Sequence, residues 1–292
     1  MARPLCVLLA IAALGLSPLA LATPANSNCT GFIASLPATI STPGTWCMTH
    51  GLSTEITNGY AITINSDNVT IDCNGFSIDN GPPNPATFAY AIYGSDLRHT
   101  TVRKCRIAGF NIGVNITEGN RGISPGHVVE DNFFDGNYYL AVALEGDGAV
   151  VQRNQVLNTG GSLYYRDGVA ISVSGTADIV DNSIRSKYAG ANGIASGSNA
   201  GGNVSNNRVS NVSSDGANAV FAISIQDDPN QPVRGNPGFP VVRSNFVSGS
   251  DTTESLGITC DNPAARAEDN VIGGFFWAFT GCGDAGGNDV MQ

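Results

Sequence analysis

Two short stretches of the chain carry side chains that could do chemistry. Asn137-Tyr138-Tyr139 and Tyr164-Tyr165-Arg166-Asp167 combine flat rings with a guanidinium and a carboxylate. Rings stack on the C–H faces of sugars while charged groups bond their hydroxyls, so Tyr138, Tyr139, Tyr164, Tyr165, Arg166 and Asp167 are the candidate carbohydrate-binding set. The plainer alternative is that these tyrosines cover a bend and that Arg166 pairs with Asp167. General acid–base chemistry needs two ionisable groups within a few ångströms of the bond that breaks. Glu145, Asp147 and Asp167 are the carboxylates that could supply it. His50, His99 and His127 are scattered and no C-x-x-C spacing occurs, so no metal site is implied. Asp227-Asp228 offers two adjacent carboxylates to a Ca2+ site, which needs further oxygens at defined spacing, so no cofactor is implied and Ca2+ stays open as a candidate.

What must position these residues is a phrase that recurs along the chain: an apolar residue, two variable ones, Asn, one variable, an apolar residue. It occurs at Asn74, Asn132, Asn154, Asn182, Asn207, Asn245 and Asn270, with Cys105 in the same slot of one further copy. Successive slots are 31, 27, 22, 28, 25, 38 and 25 residues apart, too short for a strand–helix–strand unit and right for one turn of a solenoid. Ahead of each copy lies a run such as Tyr90-Ala-Ile92, Ala141-Val-Ala-Leu144 or Ala222-Ile-Ser-Ile225, whose alternation is that of a strand with one buried face. Such strands cannot bury an apolar face alone. Stacked turn on turn, about 4.8 Å apart, they form continuous inward columns. The repeated Asn is expected at a tight bend, in the left-handed conformation, with its amide bonded to the equivalent residue of the next turn. Aligning Val142 with Val169 lays Asn137-Tyr138-Tyr139 over Tyr164-Tyr165-Arg166.

Openings such as Asn68-Val-Thr-Ile-Asp-Cys-Asn-Gly-Phe76, repeated from about Tyr60 to Cys282, resemble the repeats of the pectin-lyase-like superfamily. The resemblance implies an all-β chain, a right-handed parallel β-helix (solenoid) of about eight coils with a short N-terminal cap. That fold hosts polysaccharide lyases, hydrolases, epimerases, tailspikes and adhesins, so it specifies architecture more than activity. The Asn-Thr-Asp, Asp-pair, Gly-His-Gly and Arg-x-Lys motifs of polygalacturonase-like members are absent. Asp228-Pro-Asn230 lacks the His of the epimerase-like motif. The resemblance therefore implies a polysaccharide or glycan partner, or a surface scaffold, with a polysaccharide lyase or glycoside hydrolase using Glu145, Asp147, Arg166 and Asp167 as the alternative.

Residues 1–22 read as a secretory signal peptide, one Arg and an apolar run ending at Ala20-Leu-Ala22. This implies a secreted or periplasmic protein with no membrane span. Without Arg3 the chain has 13 basic and 24 acidic side chains, a net charge of 13 − 24 = −11. That charge argues against nucleic acid and against tight docking on polyanions, and fits a neutral glycan or a Ca2+-bridged one better. Six cysteines then remain. Cys260 and Cys282 lie one turn apart and are expected to pair, Cys73 falls near Cys105 with registers differing by one residue, and Cys29 with Cys47 would close the cap. Residues 23–55 form the expected cap and 56–292 the helix. The short tail after Cys282 raises edge-to-edge homodimerisation as an expectation.

Overall fold

The computed structural model describes residues 28–119, 124–197, 201–226, 240–250, 254–261 and 264–291. The expected signal peptide and the Asp227-Asp228 pair lie outside these residues. Among them there is no α-helix. The strands form three parallel sheets of 11, 10 and 10 strands, and each turn of the chain adds one strand to each sheet. One turn shows the pattern: Tyr90–Ser95 belongs to sheet 2, Thr101–Arg103 to sheet 1 and Arg106–Ala108 to sheet 3, before Ile112–Thr117 returns to sheet 2. The chain is a parallel β-helix repeat protein.

Eight turns carry the phrase, and the terminal segments continue the stack at both ends. The strands Gly31–Ile33, Ala38–Ile40 and Leu52–Ser53 begin sheets 1, 2 and 3. The short tail is not idle either, since Gly283–Gly286 and Asp289–Met291 end sheets 1 and 3. Inward positions align into apolar columns. In sheet 2, Ile62, Ile92, Val114, Val142, Ile171, Ile194, Ile223 and Ile258 follow one another in register, each fully buried. Burying each such side chain contributes roughly 1.5–3 kcal/mol, a gain available only because the next turn covers it.

The bend between sheets 1 and 3 holds the ladder. Asn132 donates from both its backbone N–H and its Nδ2 to Asn154 Oδ1 at 3.0 Å, and its Nδ2 also reaches the Val102 carbonyl at 3.0 Å. The same links run from Asn154 to Asn182, Asn207, Asn245 and Asn270. Asn288, in the tail, extends them by one more rung.

Two expectations about this bend are corrected. Asn74, with φ of 51°, is left-handed as expected, but in the other seven copies the left-handed residue is the one before the repeated slot: Lys104, Asp131, Arg153, Asp181, Asn206, Ser244 and Asp269 have φ of 52–58°. All seven are exposed, whereas the residue after each is buried, Cys105 in one copy and an amide turned inward to its neighbours in the other six. Asn74 stands outside the ladder, because Asp72 pairs with Arg103 and Ser77 with Arg106, leaving two extra residues at its bend. Its amide donates instead to the Met48 carbonyl at 2.9 Å.

Three disulfides form, Cys29–Cys47, Cys73–Cys105 and Cys260–Cys282, with Cα–Cα distances of 5.8, 4.7 and 4.9 Å. The expected Cys260–Cys282 pair joins residues of adjacent turns that are offset by one, although aligning Leu-Gly-Ile-Thr-Cys260 with Ala-Phe-Thr-Gly-Cys282 superposes them. Thr259 pairs with Thr280, so Cys282 lies one residue beyond the position facing Cys260.

Candidate functional site

The bend between sheets 3 and 2 carries the aromatic residues. Leu140 pairs with Val169, so the two strands are offset by two residues from the alignment used to superpose the tyrosines. The rings nevertheless meet: Tyr139 stacks on Tyr165 with centroids 4.2 Å apart. Tyr164 stacks on Phe88 at 4.7 Å, and Phe88 meets Tyr165 edge-on at 6.4 Å. Tyr164 is 58% exposed, Phe88 39% and Tyr165 38%, so ring faces remain open to solvent. Tyr139, Tyr164, Tyr165, Arg166, Asp167 and Asn218 line a shallow hollow of about 370 Å3.

Tyr138 departs from the set. It is 7% exposed, and its hydroxyl accepts the Asn84 N–H at 2.9 Å, so it turns away from the patch and anchors a loop.

Four rings that sequence reading did not assign extend the patch. Besides Phe88, Tyr60 stacks on Tyr93 at 4.0 Å and meets Tyr90 at 5.6 Å. Tyr60 and Tyr90 occupy equivalent positions on adjacent strands, a relation already visible in the paired Tyr60-Ala-Ile62 and Tyr90-Ala-Ile92. Burial raises the pKa of the Tyr90 hydroxyl, and the Tyr165, Tyr93 and Tyr139 hydroxyls raise it further. Burial, then Tyr165, then Asp167 do the same at Tyr139. Both hydroxyls therefore keep their protons at neutral pH and are available as hydrogen-bond donors.

Of the carboxylates proposed for acid–base work, Asp167 is not brought to the other two. Glu145 and Asp147 lie at the bend leaving sheet 2, whereas Asp167 lies ahead of the strand Val169–Ser174, at the opposite end of that sheet. Glu145 pairs with Ser174, seven residues on from Asp167, a span of up to roughly 20 Å of extended strand. Glu145 accepts the Glu118 N–H at 2.9 Å, and Asp147 accepts the Thr176 N–H and hydroxyl at 3.2 and 3.3 Å. Both therefore tie successive turns together. Arg166 and Asp167 are exposed, and Arg166 helps hold the Asp215 carboxyl below its ordinary value, after the Ala217 and Asn218 N–H groups. Among the described residues no group of three or more His, Cys, Asp or Glu could hold a metal ion.

One buried titratable group lies elsewhere. His127 Nδ1 accepts the Thr100 N–H at 3.3 Å, so the neutral ring carries its proton on Nε2 and donates to Ser124 Oγ at 2.7 Å. Ser124 donates in turn to the Leu97 carbonyl at 2.7 Å. Burial, and then His99, hold its pKa down to about 4.

No protein-family model and no curated relative matches the chain. Among solved structures it is similar to a mutant tailspike protein of E. coli bacteriophage HK620 in complex with a pentasaccharide, at 12% identity and a TM-score of 0.46. That match covers 86% of this chain and 60% of the tailspike. It is also similar to the A-module of the Azotobacter vinelandii mannuronan C-5 epimerase AlgE6, at 14% identity and a TM-score of 0.36, covering 89% of this chain and 88% of the other. The chain thus spans less than two thirds of the tailspike's length.

Proposed function

We propose that this β-helix binds a neutral polysaccharide or glycan on the aromatic patch, as a secreted or periplasmic protein. The observation that carries the reading is the stacked Tyr139–Tyr165 pair beside Arg166, Asp167 and Asn218 around one open hollow. Flat exposed rings take the C–H faces of pyranose units, and the flanking guanidinium, carboxylate and amide take hydroxyls. The patch runs from Tyr60 to the turn of Tyr139 across three turn-to-turn steps, about 14 Å at about 4.8 Å each, with Tyr164 and Tyr165 folded back over Phe88, a length of more than one sugar unit. Three disulfides fit an oxidising compartment. Binding without turnover is favoured over a lyase or hydrolase, because Asp167 lies at the far end of sheet 2 from Glu145 and Asp147, and those two carboxylates are held by Glu118 and Thr176 of neighbouring turns.

A glycan array followed by titration tests this. Tyr139→Ala with Tyr165→Ala should weaken binding about tenfold or more, since two stacking faces worth roughly 0.5–1.5 kcal/mol each are lost. Undiminished binding by the double variant would remove the patch. Release of reducing ends or unsaturated uronates from a polysaccharide panel, abolished by Asp167→Asn, would restore the enzymatic reading. Edge-to-edge pairing through the last rung, where Trp277 is 47% exposed, would give a dimer mass by light scattering at high protein concentration.

A further inference from the structure

The loop that separates sheets 3 and 2 near the patch has a second hollow on its other side. After the strand Ser77–Asp79 the chain leaves the stack and arches along it, tied down at two distant turns. Asn84 N–H donates to the Tyr138 hydroxyl at 2.9 Å, and Leu163 N–H donates to the Pro85 carbonyl at 3.0 Å. Phe88, at the end of the same arch, is the ring that stacks on Tyr164, so the loop that walls the cleft also touches the aromatic patch. On the sheet-3 side it encloses a cleft of about 550 Å3, with Pro83 and Pro85 above and Asp79, Asp135, Lys187 and Tyr188 around it.

The floor and walls have a definite chemistry. Gly136 has a φ of 62°, and a Cβ added there would meet nothing within 4 Å, so the space above the floor is open. Asp79, Ala108 and Asp135 hold the same position on three successive strands. The two aspartates are therefore two strand spacings apart, about 9.6 Å between Cα atoms, with only a methyl group between them. One oxygen of Asp135 accepts the Asn158 amide at 2.8 Å. None of the ion pairs among the described residues involves Asp79, Asp135 or Lys187. The Lys187 ammonium lies over the Tyr188 ring, 5.2 Å from its centroid.

We infer that this cleft is a second glycan site, taking an uncharged run of hexose units alongside the chain held on the aromatic patch. The two carboxylates accept sugar hydroxyls, the ammonium donates to sugar oxygens, and the prolines and Tyr188 present flat apolar faces to the rings. Two aspartates against one lysine leave the wall at −1, which disfavours uronates and sulfated sugars. The inference rests on the glycan-binding reading, and the two sites can fail separately.

The test is calorimetric titration of the full chain with cellohexaose, maltohexaose and hexagalacturonate. It uses wild type, Asp79→Asn with Asp135→Asn, and Tyr139→Ala with Tyr165→Ala, each checked for an unchanged circular dichroism spectrum. A neutral hexaose should bind at two equivalents per chain, each double variant removing one of them or weakening it by an order of magnitude. A single equivalent lost in the tyrosine variant and untouched in the aspartate variant would overturn the cleft and leave the patch standing. A single equivalent lost only in the aspartate variant would leave the cleft and overturn the patch. Preference for hexagalacturonate would overturn the uncharged ligand class, and absence of binding by all three probes would overturn both sites.

Discussion

Removing the Asn182 side chain tests the mechanical role of the amide column. Its Oδ1 accepts the Asn154 N–H and Nδ2, both at 3.0 Å, while its Nδ2 donates to the Val151 carbonyl at 2.8 Å and to Asn207 Oδ1 at 3.0 Å. The residue is 1% exposed, so water does not replace these partners. In Asn182→Ala the Asn154 N–H and the Val151 carbonyl each lose this bond inside the core. A buried polar group left without a partner costs about 1–3 kcal/mol, so two of them give roughly 2–6 kcal/mol. Asn288→Ala is the control, because it removes the equivalent bonds to Asn270 at the last, half-buried rung. Solvent reaches that rung, and the expected cost is about 1 kcal/mol. Stability in a solenoid is a sum of turns and their interfaces, so a urea midpoint should be read together with hydrogen exchange at Asn154 and Asn182. A loss in Asn182→Ala below 1 kcal/mol, or no larger than that in Asn288→Ala, would refute the reasoning.

Three further outcomes follow from the same turns. His127 is held neutral in the fold, with its pKa lowered from 6.5 to about 4. Its contribution is therefore complete above pH 6.5 and is lost as the pH falls towards 4, about 3 kcal/mol in all, because the unfolded chain binds the proton first. Urea titrations across that range should show a shallower pH dependence in His127→Gln, and parallel curves would count against the assignment. Cys260→Ser with Cys282→Ser opens a 22-residue link and should lower stability by about 3 kcal/mol, with exchange rising first in the strands Ser255–Cys260 and Trp277–Thr280. Gly193→Ala would push a methyl group into the Ala222 carbonyl oxygen and to 2.7 Å from Val209 Cγ1, and should cost about 1–3 kcal/mol by equilibrium unfolding. An unchanged midpoint would show that the turn relaxes freely.

What the sequence discloses and what it hides have one physical origin in the strand period. Side chains alternate every two residues, so slipping a strand by one moves the apolar set to the wrong face, while slipping it by two leaves every residue on its original face. The alternation in Leu140–Glu145 and Val169–Ser174 therefore identifies Val142 and Ile171 as inward residues, and both are fully buried. It cannot say whether Val142 faces Val169 or Ile171, and the structure pairs it with Ile171. The repeat survives this ambiguity because it returns at every turn. So does the ladder, since an Asn in a fixed slot has few other buried uses. The left-handed positions are hidden for the opposite reason. Their side chains point to solvent, so Lys104, Arg153, Ser244 and the four Asp and Asn residues share no common chemistry for a pattern to register. The site is the least legible part. The arch after Asp79 has no period, and its anchoring bonds, to Thr57, Tyr138 and Leu163 among others, determine that Phe88 reaches the tyrosines and that Tyr138 does not stand among them. Side chains that a solenoid turn places follow from the repeat, whereas those that a loop places follow from wherever it is anchored. The candidate site combines both kinds, which is why Tyr139 and Tyr165 could be named from the sequence and Phe88 could not.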